Sequence, residues 1–107
     1  MLEFGVDNKR SVNESLAAYK DALGVAVVEL PPTNPLRLDL ALNFSLFCYE
    51  ILENRDRAVQ VAQQASDDAL AGLDNLSEIE HSESTLAIQL LQAKITLWKS
   101  DEEGMFH

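Results

Sequence analysis

A chain of 107 residues forms one compact unit at most, with room for a single small core. Eighteen Asp and Glu against eight Lys and Arg leave a net charge of −10, which argues against a nucleic-acid partner held through its phosphate backbone. The lone cysteine, Cys48, can close no intrachain disulfide, and no stretch has signal-peptide or transmembrane length, so the chain reads as cytoplasmic with no membrane partner.

The helical period organises the first segment, residues 7–30. Val12, Leu16, Tyr19, Leu23, Ala26, Val27 and Leu30 share one arc while Lys9, Arg10, Asn13, Lys20 and Asp21 lie elsewhere, and Asp7 is the expected N-cap. Pro31 and Pro32 stop this helix, because neither supplies a backbone N–H. Asn34-Pro35 restarts one, with Asn34 as cap and Pro35 in the first turn, where a missing donor costs nothing.

The second helix, expected over 35–53, is apolar on almost every side and should have neighbours on several faces. With Asn43 set at zero on the helical wheel, Asp39 falls near about −40°, Leu46 near about −60° and Glu50 near about −20°. Its polar side chains after Arg37 therefore share one narrow stripe, which either resolves a packing problem or lines a groove. A short polar turn leads to a third helix over 57–73, for which Asp56 is the candidate cap. Ala58, Ala62, Ala65, Ala69 and Leu73 give it a small-residue stripe for close helix approach.

Residues 74–84 are polar and aperiodic, so a loop is expected there with Leu76 and Ile79 as anchors, followed by a fourth helix over 83–99 and a tail over 100–107. On that last helix, with Leu90 at zero, Leu86, Leu97, Ala87, Trp98, Leu91, Ile95 and Ile88 cover an arc from about −40° to about +160°, and Lys94 sits inside it near about +40°. An unpaired buried ammonium costs several kcal/mol. Lys94 must either snorkel to water or meet an acid, for which Asp39 and Glu50 are the candidates. The stripe of the second helix should then face the last helix across a partly wet crevice walled by Leu46, Leu90 and Trp98. The fold class is all-α, an antiparallel four-helix array with no strand pattern and no repeats.

Little in the chain suggests catalysis. Asp39 and Glu50 share a helix but have no nucleophile, metal set or Gly-rich phosphate loop beside them, and His81 has no second ligand at metal spacing. Cys48 within an apolar helix reads as a small buried hydrophobe. No cofactor, no metal and no enzymatic activity are expected.

The segments ELPPTNPLRLDLALNFSLFCYEIL, ASDDALAGLDNLSE and STLAIQLLQAKITLWKSD resemble the C-terminal part of 14-3-3 proteins, in order and over nearly the whole chain. The resemblance implies an all-helical, non-enzymatic adaptor that binds phosphoserine or phosphothreonine segments of client proteins in an amphipathic groove. Family members have nine helices and dimerise through the first few. This chain resembles the last four, and no segment of it matches the family's basic phosphate-binding cluster. What carries over is the opposite wall. Leu42, Asn43, Leu46 and Glu50 match groove positions, Asn43 being the amide that bonds the peptide main chain, and Leu90 and Trp98 match the apolar wall and its indole.

Three positions depart from the family pattern. Asp39 stands where glycine is usual, Lys94 replaces a second peptide-holding asparagine, and Ala87 replaces a larger aliphatic residue. Asp39 and Lys94 are expected to compensate one another, as an ion pair or by contacting a different peptide sequence. A helical interaction or oligomerisation module that has lost phosphate recognition is the alternative reading. In either case apolar surface left without its usual cover predicts self-association.

Overall fold

The computed structural model describes residues 4–104, with side-chain surroundings over 11–100. Four helices account for it: α1 Phe4–Glu29, α2 Pro35–Glu50, α3 Arg55–Gly72 and α4 Glu78–Gly104, with a 3₁₀ turn Leu73–Asn75 between the last two. No strand occurs among the described residues. The array is flat, measuring 51 × 40 × 20 Å.

Local chemistry accounts for the helix ends. Asn34 caps α2 as expected, its side-chain oxygen accepting from the backbone N–H of Leu36 at 2.8 Å and Arg37 at 3.3 Å. At α3 the cap is Asn54, which accepts from Arg57 N–H at 3.0 Å, and Asp56 instead sits in the first turn, where a carboxylate faces the positive end of the helix dipole. Helix α1 begins at Phe4, so Asp7 lies inside it and is not its cap.

The expected loop over 74–84 is mostly helix. Ser77 and Glu80 form a reciprocal cap: Glu80 N–H donates to the Ser77 hydroxyl oxygen at 3.3 Å, and Ser77 N–H donates to the Glu80 carboxylate at 3.2 Å. These two bonds let a polar sequence start α4 at Glu78 without apolar periodicity. Leu76 is half-buried, but Ile79 is 75% exposed and anchors nothing. Helix α4 also runs on to Gly104, through the expected tail.

Helix α2 lies in the middle and packs against each of the other three, which explains its apolar character on most sides. Leu38, Phe44 and Cys48 are buried on it, against Ala58, Ala62 and Ala69 of α3 and Ile88, Leu91, Ile95 and Trp98 of α4. The three alanines have no exposed surface, the close approach their size allows. Helix α1 is the edge element and, among the described residues, packs on α2 alone, through Leu16, Leu23 and Tyr19, whose ring lies 5.6 Å from Phe44 and 5.1 Å from Phe47.

The α1–α2 connector is tied down from two sides. Buried Thr33 accepts a hydrogen bond at its carbonyl from the Ser84 hydroxyl of α4. Its methyl lies where a Cβ on Gly72 would come within 3.2 Å. Glu53, between α2 and α3, has φ of 53°, the left-handed region that a glutamate adopts only with strain.

Candidate functional site

Helix α2 turns its buried residues, Leu38, Ala41, Phe44, Ser45 and Cys48, toward α3, and the stripe Asp39–Asn43–Glu50 falls on the opposite side of the wheel. All three of these polar residues are exposed, with Leu42 and Leu46 half-buried along one edge. Among the described residues, neither Asn43 nor Asp39 makes a side-chain hydrogen bond or ion pair. An amide serving the core would be buried and satisfied, and Asn43 is neither.

Ring contacts fix what flanks the stripe. Phe47, on one side, meets Tyr19 of α1. Tyr49, on the other, stacks on Trp98 of α4, ring centroids 4.9 Å apart and planes 15° apart. The stripe is therefore the floor of a trough between α1 and α4. At one end of it Glu50 lines an opening of about 420 Å³ with Ser11, Val12, Ser15 and Phe47. The α1 residues of this opening were not among the positions expected from sequence, because nothing local marks which part of an edge helix borders a neighbour's polar stripe.

The broad apolar arc of α4 divides in two. Trp98, Leu91, Ile95 and Ile88 are buried, whereas Leu86, Leu97 and Leu90, which lie within about 40° of one another, are 61%, 50% and 49% exposed. Ala87 and Lys94 sit on the boundary, both half-buried. The leucines form a ridge on the flank beyond Trp98. An arc of about 200° exceeds what one core contact covers, and this width is the sequence signal for a second apolar surface.

Two expectations about this face need correction. Trp98 is 2% exposed. An indole so covered braces α4 against Tyr49 and is not an exposed wall residue among the described residues. Asp39 and Lys94 form no ion pair among the described residues. Asp39 is exposed and hydrated, and Lys94 is only half-buried, so its stem packs while its ammonium reaches solvent.

The remaining chemistry is sparse. Burial pushes the Cys48 thiol above its usual range, against the smaller opposing effects of Arg57 and Lys20, so it stays protonated and unreactive near neutral pH. No group of three or more His, Cys, Asp or Glu among the described residues could hold a metal ion. No described helix is long and apolar enough to cross a membrane.

The described residues are thus an all-helical array that presents an unpaired amide and an apolar ridge. Residues 1–99 match the family model described as 14-3-3 protein, and the chain belongs to the 14-3-3 family, whose members are non-enzymatic adaptors. It is 55% identical over 100 residues to 14-3-3 protein epsilon of Drosophila melanogaster, covering 94% of this chain and 38% of that protein. A 14-3-3 protein homolog of Trichoderma harzianum is 54% identical over 104 residues, covering 95% and 40%. The checkpoint signal transducer rad24 of Schizosaccharomyces pombe is 52% identical over 105 residues, covering 96% and 39%. The chain thus spans less than half the length of these relatives.

Proposed function

We propose that this chain supplies the peptide-holding wall of a phosphoserine/phosphothreonine adaptor of 14-3-3 type. The observation that carries the reading is the exposed, unpartnered amide of Asn43, set between Leu42 and Leu46 and flanked by α4. A carboxamide donates and accepts at once, so it can bond both groups of a client's peptide unit. The ridge of Leu90, Leu86 and Leu97 takes apolar client side chains, with Ala87 leaving it shallow. Asp39, Lys94 and Glu50 bias which charged side chains lie alongside, and Trp98 supports the wall from behind.

Isothermal titration of the chain with a phosphoserine peptide and its unphosphorylated twin tests this. The phosphopeptide is expected to bind more tightly, and Asn43→Ala to weaken binding about tenfold while leaving the melting temperature unchanged. Equal affinity for the two peptides overturns the phosphate-reading assignment for this chain.

One observation favours a second reading, a helical interaction module that self-associates. Val25 and Val28 of α1 are 62% and 79% exposed, an apolar outer face that no described element covers. Light scattering across a wide concentration range should then show mass rising with concentration; a constant monomer mass removes this reading.

A further inference from the structure

Behind the trough, where α1 and α3 both lean on α2 without closing over it, a second cleft opens. It has a volume of about 410 Å³, with Phe44 in its floor and Val27 of α1 facing Val61 and Ala65 of α3. Its floor is core, Leu38 and Phe44 being 1% and 2% exposed, while Val27 on the rim is 56% exposed. A cleft of this size and apolar lining is the usual form of a recognition site.

Its charge runs against the rest of the chain. Arg37 and Arg57 line it, with Asp68 as the acidic member of the rim. Asp68 already accepts from the Gln64 amide at 3.0 Å. Arg37 is held in place by one hydrogen bond, Nη1 donating to the Leu30 carbonyl at 2.8 Å, which leaves its other N–H groups open. The Arg57 side chain makes no hydrogen bond or ion pair among the described residues. On a chain of net charge −10, two guanidiniums facing an apolar cleft are a local reversal of sign.

The arginines mark its two ends. Arg37 stands in the first turn of α2, and Arg57 borders an opening with Cys48, eleven residues further along the same helix. At 1.5 Å per residue the separation is about 16 Å, three helical turns. Apolar anchors at i, i+3, i+4 and i+7 on a docked helix cover about 10 Å, which fits between them with an acidic residue at each end. We propose that the cleft binds an amphipathic helical segment of a partner protein whose apolar stripe is bracketed by acidic residues. This site is separate from the Asn43 trough and does not depend on the reading given to it.

The probe is a 14-residue helical peptide with leucines at i, i+3, i+4 and i+7 and glutamates flanking the stripe, compared with a twin carrying lysines in place of the glutamates. Binding to the 107-residue chain is followed by amide chemical shifts. The glutamate peptide should bind about tenfold more tightly, although the overall charge favours the lysine twin. Its shifts should centre on Val27, Val61 and Ala65 and leave Asn43 and Leu90 unmoved. Arg57→Glu and Val27→Asp, both at exposed positions, should each lower the affinity about tenfold without moving the melting temperature. Equal or tighter binding of the lysine twin, shifts on the Asn43 face, or an unchanged affinity in Arg57→Glu overturns the proposal. So does a concentration-dependent shift of the cleft residues without peptide, which would make a second copy the occupant.

Discussion

The two edge-most long helices, α1 and α4, both carry more apolar surface than they bury, and they dispose of the excess differently. Helix α1 meets only α2, so its outer valines, Val25 and Val28, face away from everything described. Helix α4 meets both α2 and α3, buries Trp98, Leu91, Ile88 and Ile95, and shows its remaining leucines as an aligned ridge. The number of neighbours, and not the amphipathicity of the helix, decides how much of its hydrophobic surface each leaves exposed.

The largest effect that could break this contrast lies within α4. Trp98→Ala should cost about 3–5 kcal/mol and lower the thermal midpoint sharply, whereas Leu90→Ala should cost under about 1 kcal/mol. Similar losses for the two would mean that the ridge belongs to the core. A smaller effect separates the helices themselves. With one packing partner, α1 should open before the rest of the array, its amides exchanging with at least about tenfold less protection than the central turns of α4. Uniform protection across both would erase the distinction drawn here.

The smallest effect sharpens it from the joint they share. Glu53 holds a left-handed backbone, and Glu53→Gly should stabilise the fold by roughly 0.5–1 kcal/mol in denaturant unfolding. Because Glu53 joins α2 to α3, the gain should appear in global unfolding and leave the early opening of α1 where it was. A destabilised Glu53→Gly variant would show that the glutamate side chain does more than tolerate its turn.

Much of the fold was legible from local rules. Pro31-Pro32 and Asn34-Pro35 announced the break and restart between α1 and α2, and the run of alanines announced a closely approached α3. The errors also have local causes. Residues 74–84 carry no apolar period, but the Ser77 and Glu80 exchange of hydrogen bonds starts α4 there all the same. Asp56 looked like a cap because it is acidic and near the turn, while Asn54 has the reach to the third helical N–H. In the candidate site, the stripe of Asp39, Asn43 and Glu50 was readable because one helix places all three. The flanking residues Ser11 and Ser15 were not, because they come from another element.

From its own periodicity and caps the sequence determined four helices, their order, the alignment of the stripe on α2 and the excess apolar width of α4. Those properties follow from bonds and side chains a few residues apart. Only the tertiary structure decided that Trp98 belongs to the core and Leu90 to the surface, that Asp39 and Lys94 stay apart, and that α1 and α3 leave a cleft over α2. Burial is the sum of contacts from every neighbouring element, and no single helix encodes how many neighbours it will have.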